Sequence, residues 1–97
     1  MTNDEPLKRE LNIMTRCIDV RRAILEILER AEPYALPERQ LKIEINSALR
    51  PPVGDAEFDD ALCFISRRGL AATVPDPLDE QNVKWTISEP GKALLRQ

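Results

Sequence analysis

The sequence predicts a small, mainly α-helical domain that carries a short β-hairpin. Apolar residues recur at helical spacing in three stretches of the first 70 residues, and residues 83–88 alternate between apolar and polar side chains. Gly69 separates the third helical stretch from a second strand candidate. We therefore expect an α+β domain with a three-helix core, a two-stranded antiparallel hairpin and a short C-terminal helix.

The first helix is predicted from about Leu11 to Glu32, after a flexible lead-in at residues 1–10. The stretch contains no helix breaker, and its apolar residues share one face of a helix. That face consists of Ile13, Cys17, Val20, Ile24, Ile27, Leu28 and Ala31. The residues Met14, Ile18 and Leu25 widen it on one flank. So wide a stripe indicates either a central helix with several neighbours or a dimer seam.

The second helix is predicted to begin near Pro37, because proline is favoured in the first turn and Glu38 suits the helix dipole. The residues 50–52, Arg-Pro-Pro, end it, since proline cannot continue the hydrogen-bond ladder. Ile43 falls on the side opposite the inner face. That inner face is predicted to hold Leu41, Ile45, Ala48 and Leu49.

The third helix begins at a cap formed by Gly54 or Asp55, and Gly69 occupies the position of a left-handed C-terminal cap. The strand candidates are residues 70–74 and 83–88, which a turn-rich loop connects. Ser88 is the expected cap of the last helix. The inner positions of these elements are Phe58, Ala61, Leu62, Ile65, Val83, Trp85, Ile87, Leu94 and Leu95.

Length and charge bound the class of protein. Ninety-seven residues suffice for one domain, which we place at residues 11–97, and the net charge of −3 provides no overall attraction to nucleic acid or anionic membranes. The sequence contains no apolar run that could cross a bilayer, and its polar N-terminus is unlike a signal peptide. A cytoplasmic location is expected.

The residue inventory argues against catalysis. The chain has no histidine, and its two cysteines, Cys17 and Cys63, form no CxxC pair. Zinc ligation and Ser-His or Cys-His catalysis are therefore not expected. Glycine-rich phosphate-binding and nucleophile-elbow motifs do not occur. We expect a protein without enzymatic activity, cofactor or metal.

Two stretches of the chain resemble winged-helix domains. The sequence ALCFISRRGLAATV is similar to the third helix and first wing strand of MarR- and PadR-type bacterial regulators, and WTISEPGKALL is similar to their second wing strand and closing helix. The pattern covers about residues 13–96. The resemblance implies that the third helix reaches DNA bases and that the wing, with its tip at residues 76–82, contacts the backbone or the minor groove. The outward positions that it implies on the third helix are Ala56, Asp59, Asp60, Cys63, Phe64 and Arg67.

The charge of these elements departs from the DNA-binding pattern. Residues 54–82 hold seven acids and two bases, whereas the remaining residues hold 12 bases and 10 acids. Because phosphate contacts depend on Lys and Arg, we expect a protein-interaction or regulatory adaptor whose acidic surface binds a basic protein. The predicted partner-binding residues are Asp55, Glu57, Asp59, Asp60, Cys63, Phe64, Ile43, Asp76, Asp79 and Glu80.

Three alternatives stay open. The acids at the start of the third helix equally fit a solvated helix N-terminus, and incidental exposure fits Ile43 and Phe64 better than a binding patch does. The main functional alternative is a DNA-binding transcriptional regulator, either a monomer or a homodimer. Its predicted DNA-contacting residues form a basic rim of Arg39, Lys42, Arg50, Arg67, Arg68 and Lys84.

Overall fold

The computed structural model describes the backbone of residues 4–97 and the side chains of residues 13–97. The three strands pair as one antiparallel sheet in the order β1-β3-β2. The predicted fold class is confirmed. In chain order the elements are α1 (Asp4–Ala31), β1 (Leu36–Pro37), α2 (Glu38–Ala48), α3 (Asp55–Arg67), β2 (Ala71–Asp76), β3 (Asp79–Ile87) and α4 (Glu89–Leu95).

Helix α1 begins about seven residues earlier than predicted, at Asp4, so residues 4–10 are helical rather than a lead-in. Residues 1–3 of the predicted lead-in lie outside the described part of the chain. Pro6 falls in the first turn, where proline is tolerated, and residues 7–10 are strong helix formers. These local preferences favour a helix that begins before Leu11.

The core is built on the C-terminal half of α1. Val20 and Ile24 are fully buried there, and Leu25, which was predicted on the flank, is also buried. The same face becomes exposed toward the N-terminus, where Cys17 is half-buried and Ile13 is 63% exposed. The residues of the other elements that complete the core are Leu41, Ile45, Val53, Phe58, Ala61, Leu62, Ile65, Ala71, Trp85 and Ile87.

Outside α1, three inner positions were predicted wrongly. Ala48 at the end of α2 is exposed, and Val83 of β3 and Leu94 of α4 are 36% and 38% exposed, because each lies where its element leaves the core. Trp85 is buried as predicted, and its indole Nε1 donates a hydrogen bond to Glu38 Oε1 at 2.9 Å. This bond satisfies the one polar atom of the indole and ties β3 to the first turn of α2.

The sheet contains a strand that the sequence did not predict. Leu36 and Pro37 form β1, which pairs with Trp85 and Lys84 of β3. Two residues are too short to produce a periodic pattern, so nothing in the local sequence identifies them. The strand places the start of α2 beside the hairpin.

The β2–β3 hairpin, which we call the wing, is longer than predicted. The strands pair from Ala71 with Ile87 to Asp76 with Asp79, so the turn consists only of residues 77–78. The pairing is irregular between Val74 and Asp76, where Pro75 has no N–H to donate. The polar residues 79–82 lack strand propensity, which is why the sequence placed them in a loop.

Both ends of α3 follow the sequence prediction. Gly54 caps its start, and Gly69 adopts the left-handed conformation with φ of 69° just past its end. The amide of Leu70 donates to the Ile65 carbonyl and that of Gly69 to the Ser66 carbonyl, which satisfies the last turn. The helix therefore ends sharply and leads directly into β2.

Helix α4 closes the domain against this junction. Ser88 caps it as predicted, accepting a hydrogen bond from the Gly91 amide at 3.2 Å, and its own amide donates to the Leu70 carbonyl. Gly91 is buried so tightly that a Cβ there would overlap the Leu70 carbonyl oxygen and Ile87. Among the described residues, no helix has both the length and the apolar character needed to span a membrane.

Candidate nucleic-acid interface

The fold presents one side of α3 to solvent beside the wing. Phe58, Ala61, Leu62 and Ile65 turn into the core, which leaves the opposite side of the helix in solvent. We call this opposite side the outer face of α3, and it consists of Ala56, Asp59, Asp60, Cys63 and Arg67, all exposed as predicted. Its N-terminal half is acidic and its C-terminal end is basic.

An open groove of about 820 Å³ lies between the first turn of α2, the first half of α3 and β3. Its charged lining consists of four carboxylates and two basic side chains: Glu38, Asp55, Asp59, Asp79, Arg39 and Lys42. Two of these groups neutralise each other, because Lys42 Nζ forms an ion pair with Asp55 Oδ1. The sequence predicts these two residues in alternative functions, Asp55 in the binding of a basic protein and Lys42 in the binding of DNA.

Glu57, which was predicted among the partner-binding residues, lies beside the outer face of α3 and is half-buried. Its Oε2 accepts a hydrogen bond from Arg16 Nε at 2.8 Å, and Arg16 Nη2 also donates to the Pro51 carbonyl at 2.7 Å. The hydrogen bond from Arg16 lowers the pKa of the Glu57 carboxyl, and the Gly54 amide contributes in the same direction. Glu57 thus joins the start of α3 to α1, and its charge is paired within the fold.

The acids of the wing differ in their surroundings. Asp76 accepts hydrogen bonds from the Leu78 amide at 2.9 Å and from the Asn82 side chain at 3.1 Å, and these bonds lower the pKa of its carboxyl. Asp79 accepts from the Gln81 amide at 3.0 Å, whereas Glu80 is exposed. Asp76 and Asp79 therefore shape the turn, and Leu78 at its tip is 95% exposed.

Phe64, which was predicted at an outward position and in a partner-binding patch, is half-buried. The guanidinium carbon of Arg21 lies 3.6 Å from the centre of its ring, and that of Arg68 lies 4.6 Å away. Ile43, the other predicted member of the patch, is 55% exposed. Arg21 was not among the predicted site residues, because its place beside α3 depends on how α1 and α3 pack.

The basic rim is only partly available. Arg50 Nη1 donates to the Asn46 carbonyl at 3.2 Å and so caps the end of α2, and Lys84 is half-buried on β3. Arg39, Arg67 and Arg68 are exposed, and within the described side chains none of the three forms an ion pair with a carboxylate. These arginines are the charges of the rim that remain free to contact a phosphate.

Two further surface features bear on function. Both cysteines are free thiols, with Cys63 exposed on the outer face of α3. Residues 13–97 bring no three His, Cys, Asp or Glu side chains together as a metal site. On α1, the side chains of Ile13, Met14 and Ile18 are 63%, 60% and 51% exposed, which forms an apolar stripe.

Comparison with known proteins identifies the fold. No protein-family model matches the chain, and neither does any curated protein sequence. Solved structures do match it. The PcaV transcriptional regulator from Streptomyces coelicolor is 25% identical over 79% of this chain and 51% of its own, with a TM-score of 0.63.

Two other matches have lower identity. ZitR from Lactococcus lactis is 16% identical over 96% of this chain and 64% of its own, with a TM-score of 0.65. FabT from Streptococcus pneumoniae, solved in complex with DNA, is 18% identical over 81% of this chain and 49% of its own, with a TM-score of 0.60. The chain thus spans about half to two thirds of the length of these structures. Because they are MarR-family regulators, the chain is a winged-helix domain similar in fold to that family.

Proposed function

We propose that this winged-helix domain binds duplex DNA and acts as a transcriptional regulator, with the outer face of α3 in the major groove and the wing beside it. The observation that carries the proposal is that α3 leaves its outer face open to solvent, flanked by the wing. The diameter of an α-helix matches the width of the major groove of B-DNA, so α3 fits there. The similarity in fold between this domain and regulators, one of which was solved with DNA, supports the same function.

Ion pairs within the fold neutralise part of the acidic charge that would oppose DNA binding. Of the seven acids in residues 54–82, Glu57 is paired with Arg16 and Asp55 with Lys42, whereas Asp76 accepts hydrogen bonds from neutral groups of the wing turn and keeps its negative charge. Within the described side chains, the acids that form no ion pair are Asp59, Asp60, Asp76, Asp79 and Glu80. A duplex would therefore meet a surface that is less acidic than the sequence total of −5 indicates.

A protein-interaction adaptor is the second candidate function. It is favoured by the groove between α2, α3 and β3, where carboxylates outnumber basic side chains by four to two. A basic segment of another protein would complement this charge, but surface carboxylates of this kind contribute little affinity individually. We therefore rank it below DNA binding.

We also propose that the protein forms a homodimer. The apolar stripe of α1 would be covered by the same stripe of a second copy, an arrangement that two-fold symmetry permits because one patch then contacts itself. Two α3 helices would then be presented to one duplex, as in helix-turn-helix dimers that bind paired half-sites. A single copy presents only one.

Titration of a short random-sequence duplex, followed by fluorescence polarisation, tests the proposed function. At about 50 mM salt we expect micromolar binding, with affinity falling as salt rises at a log–log slope of about −2 to −3, since two or three arginines would contact phosphates. The stoichiometry of the same titration distinguishes one chain per duplex from two. Failure to bind the duplex at this salt concentration, at protein concentrations up to about 100 μM, would leave the adaptor as the better account.

A further inference from the structure

Arg21 and Arg68 both place their guanidiniums over the ring of Phe64, an arrangement that we call the stack. Both guanidinium carbons lie within 4.6 Å of the same ring centre, although one residue belongs to α1 and the other directly follows α3. Two like charges held this close repel each other. The attraction of each guanidinium to the ring offsets part of that repulsion.

Within the side chains of residues 13–97, the guanidiniums of Arg21 and Arg68 contact the Phe64 ring and form no ion pair. Stacking on an aromatic face occupies the plane of the group, whereas its five N–H donors point outward in that plane. Two oriented and unneutralised donors of this kind suit an anion with several oxygens, such as a phosphate.

A third arginine extends the stack toward the outer face of α3. Arg67 is exposed and directly precedes Arg68 in the chain. The nearest acid that precedes Arg67 on the outer face is Asp60, seven residues earlier and so about two helical turns away. The end of α3 therefore carries a compact positive surface, at the opposite end of the helix from its acids.

We infer that Arg21, Arg67 and Arg68 bind the phosphate backbone of one DNA strand, and that Phe64 positions two of the three guanidiniums for this contact. The inference rests on the proposed DNA-binding function and adds where the backbone lies and which residue of α1 reaches it. Phosphates follow one another every 3.4 Å or so along the axis of each strand, so two guanidiniums held over one ring, with Arg67 next to Arg68 in the chain, can contact neighbouring phosphates. The ring restricts the motion of the arginines and reduces the entropy lost on binding.

Arginine-to-alanine variants test the inference through the salt dependence of duplex binding. Arg21→Ala and Arg68→Ala are each expected to weaken binding about 3- to 10-fold at about 50 mM salt, and each reduces the log–log slope by about one. Arg22→Ala is the matched control, because Arg22 is an exposed arginine of the same helix that is not stacked on Phe64. It should leave the slope unchanged.

Phe64→Leu tests the positioning role separately. Leucine preserves an apolar side chain and every charge, so the variant should weaken duplex binding several-fold while the salt slope changes by less than about half a unit. Urea unfolding of each variant identifies any loss of folded protein. A stack with only a structural role would lower the urea midpoint of Arg21→Ala and Arg68→Ala without changing the slope, and that result overturns the inference. If the unmodified protein binds no duplex, the proposed function itself fails instead.

Discussion

Replacing Asp59 and Asp60 together by asparagine is expected to raise the affinity for random duplex about tenfold at about 50 mM salt. Both carboxylates are exposed on the outer face of α3, and within the described side chains neither is paired with a basic group. A unit charge a few ångströms from a phosphate in a water-rich interface costs roughly 0.5–1 kcal/mol. Removing two such charges corresponds to about a factor of ten in the dissociation constant.

The effect of this double variant should shrink as salt screens the charges, nearly vanishing at about 1 M. Glu26→Gln is the control, because Glu26 is an exposed carboxylate of α1 and changes the net charge without touching α3. Polarisation titrations of all three proteins give the comparison. An adaptor that uses the acidic groove predicts the reverse outcome, with no gain for duplex and a loss of affinity for its basic partner.

Gly91→Ala is expected to lower the free energy of unfolding by about 2–3 kcal/mol, which is a large fraction of the stability of a domain of this size. The added methyl group would overlap the Leu70 carbonyl oxygen and the Ile87 side chain. The carbonyl cannot simply move aside, because it accepts the hydrogen bond of the Ser88 amide that fixes α4 against the end of α3. Relief of the overlap therefore requires a shift of α4 or of β2.

Urea denaturation monitored by circular dichroism measures this loss. Gly54→Ala is the matched control, since a Cβ at Gly54 meets nothing within 4 Å and its φ of −73° suits any residue. That variant should cost no more than about 1 kcal/mol, because alanine is only a poorer N-cap than glycine. Equal losses of unfolding free energy in the two variants would show that the packing around Gly91 tolerates an added methyl group.

The sequence was sufficient for the helices because their signals are local. The apolar stripe of α3, its glycine cap and Gly69 lie within sixteen residues of one another, and all three appear in the structure as predicted. The strand β1 could not be predicted, because its two residues become a strand only by pairing with Trp85 and Lys84. The early start of α1 was available from helix propensity, yet it was assigned to a lead-in.

The candidate site was predicted less well, because its charges interact over long sequence separations. Arg16 and Glu57 are 41 residues apart, and no periodicity relates them. Arg21 reaches Phe64 for the same reason, through the packing of α1 on α3. The number of acids in a segment therefore overstates the charge available to a partner, and it gives no sign that Arg21 joins Arg67 and Arg68 at the end of the helix.

Protection of Cys63 from alkylation by bound duplex tests the central claim most directly, because this thiol is exposed on the outer face of α3. In a Cys17→Ser variant it is the single thiol, so mass spectrometry reports its rate of reaction with iodoacetamide without interference. Saturating duplex is predicted to slow that reaction at least several-fold at about 50 mM salt, and the protection should disappear as higher salt releases the duplex. If Cys63 reacts equally fast with and without saturating duplex, the outer face of α3 does not face DNA.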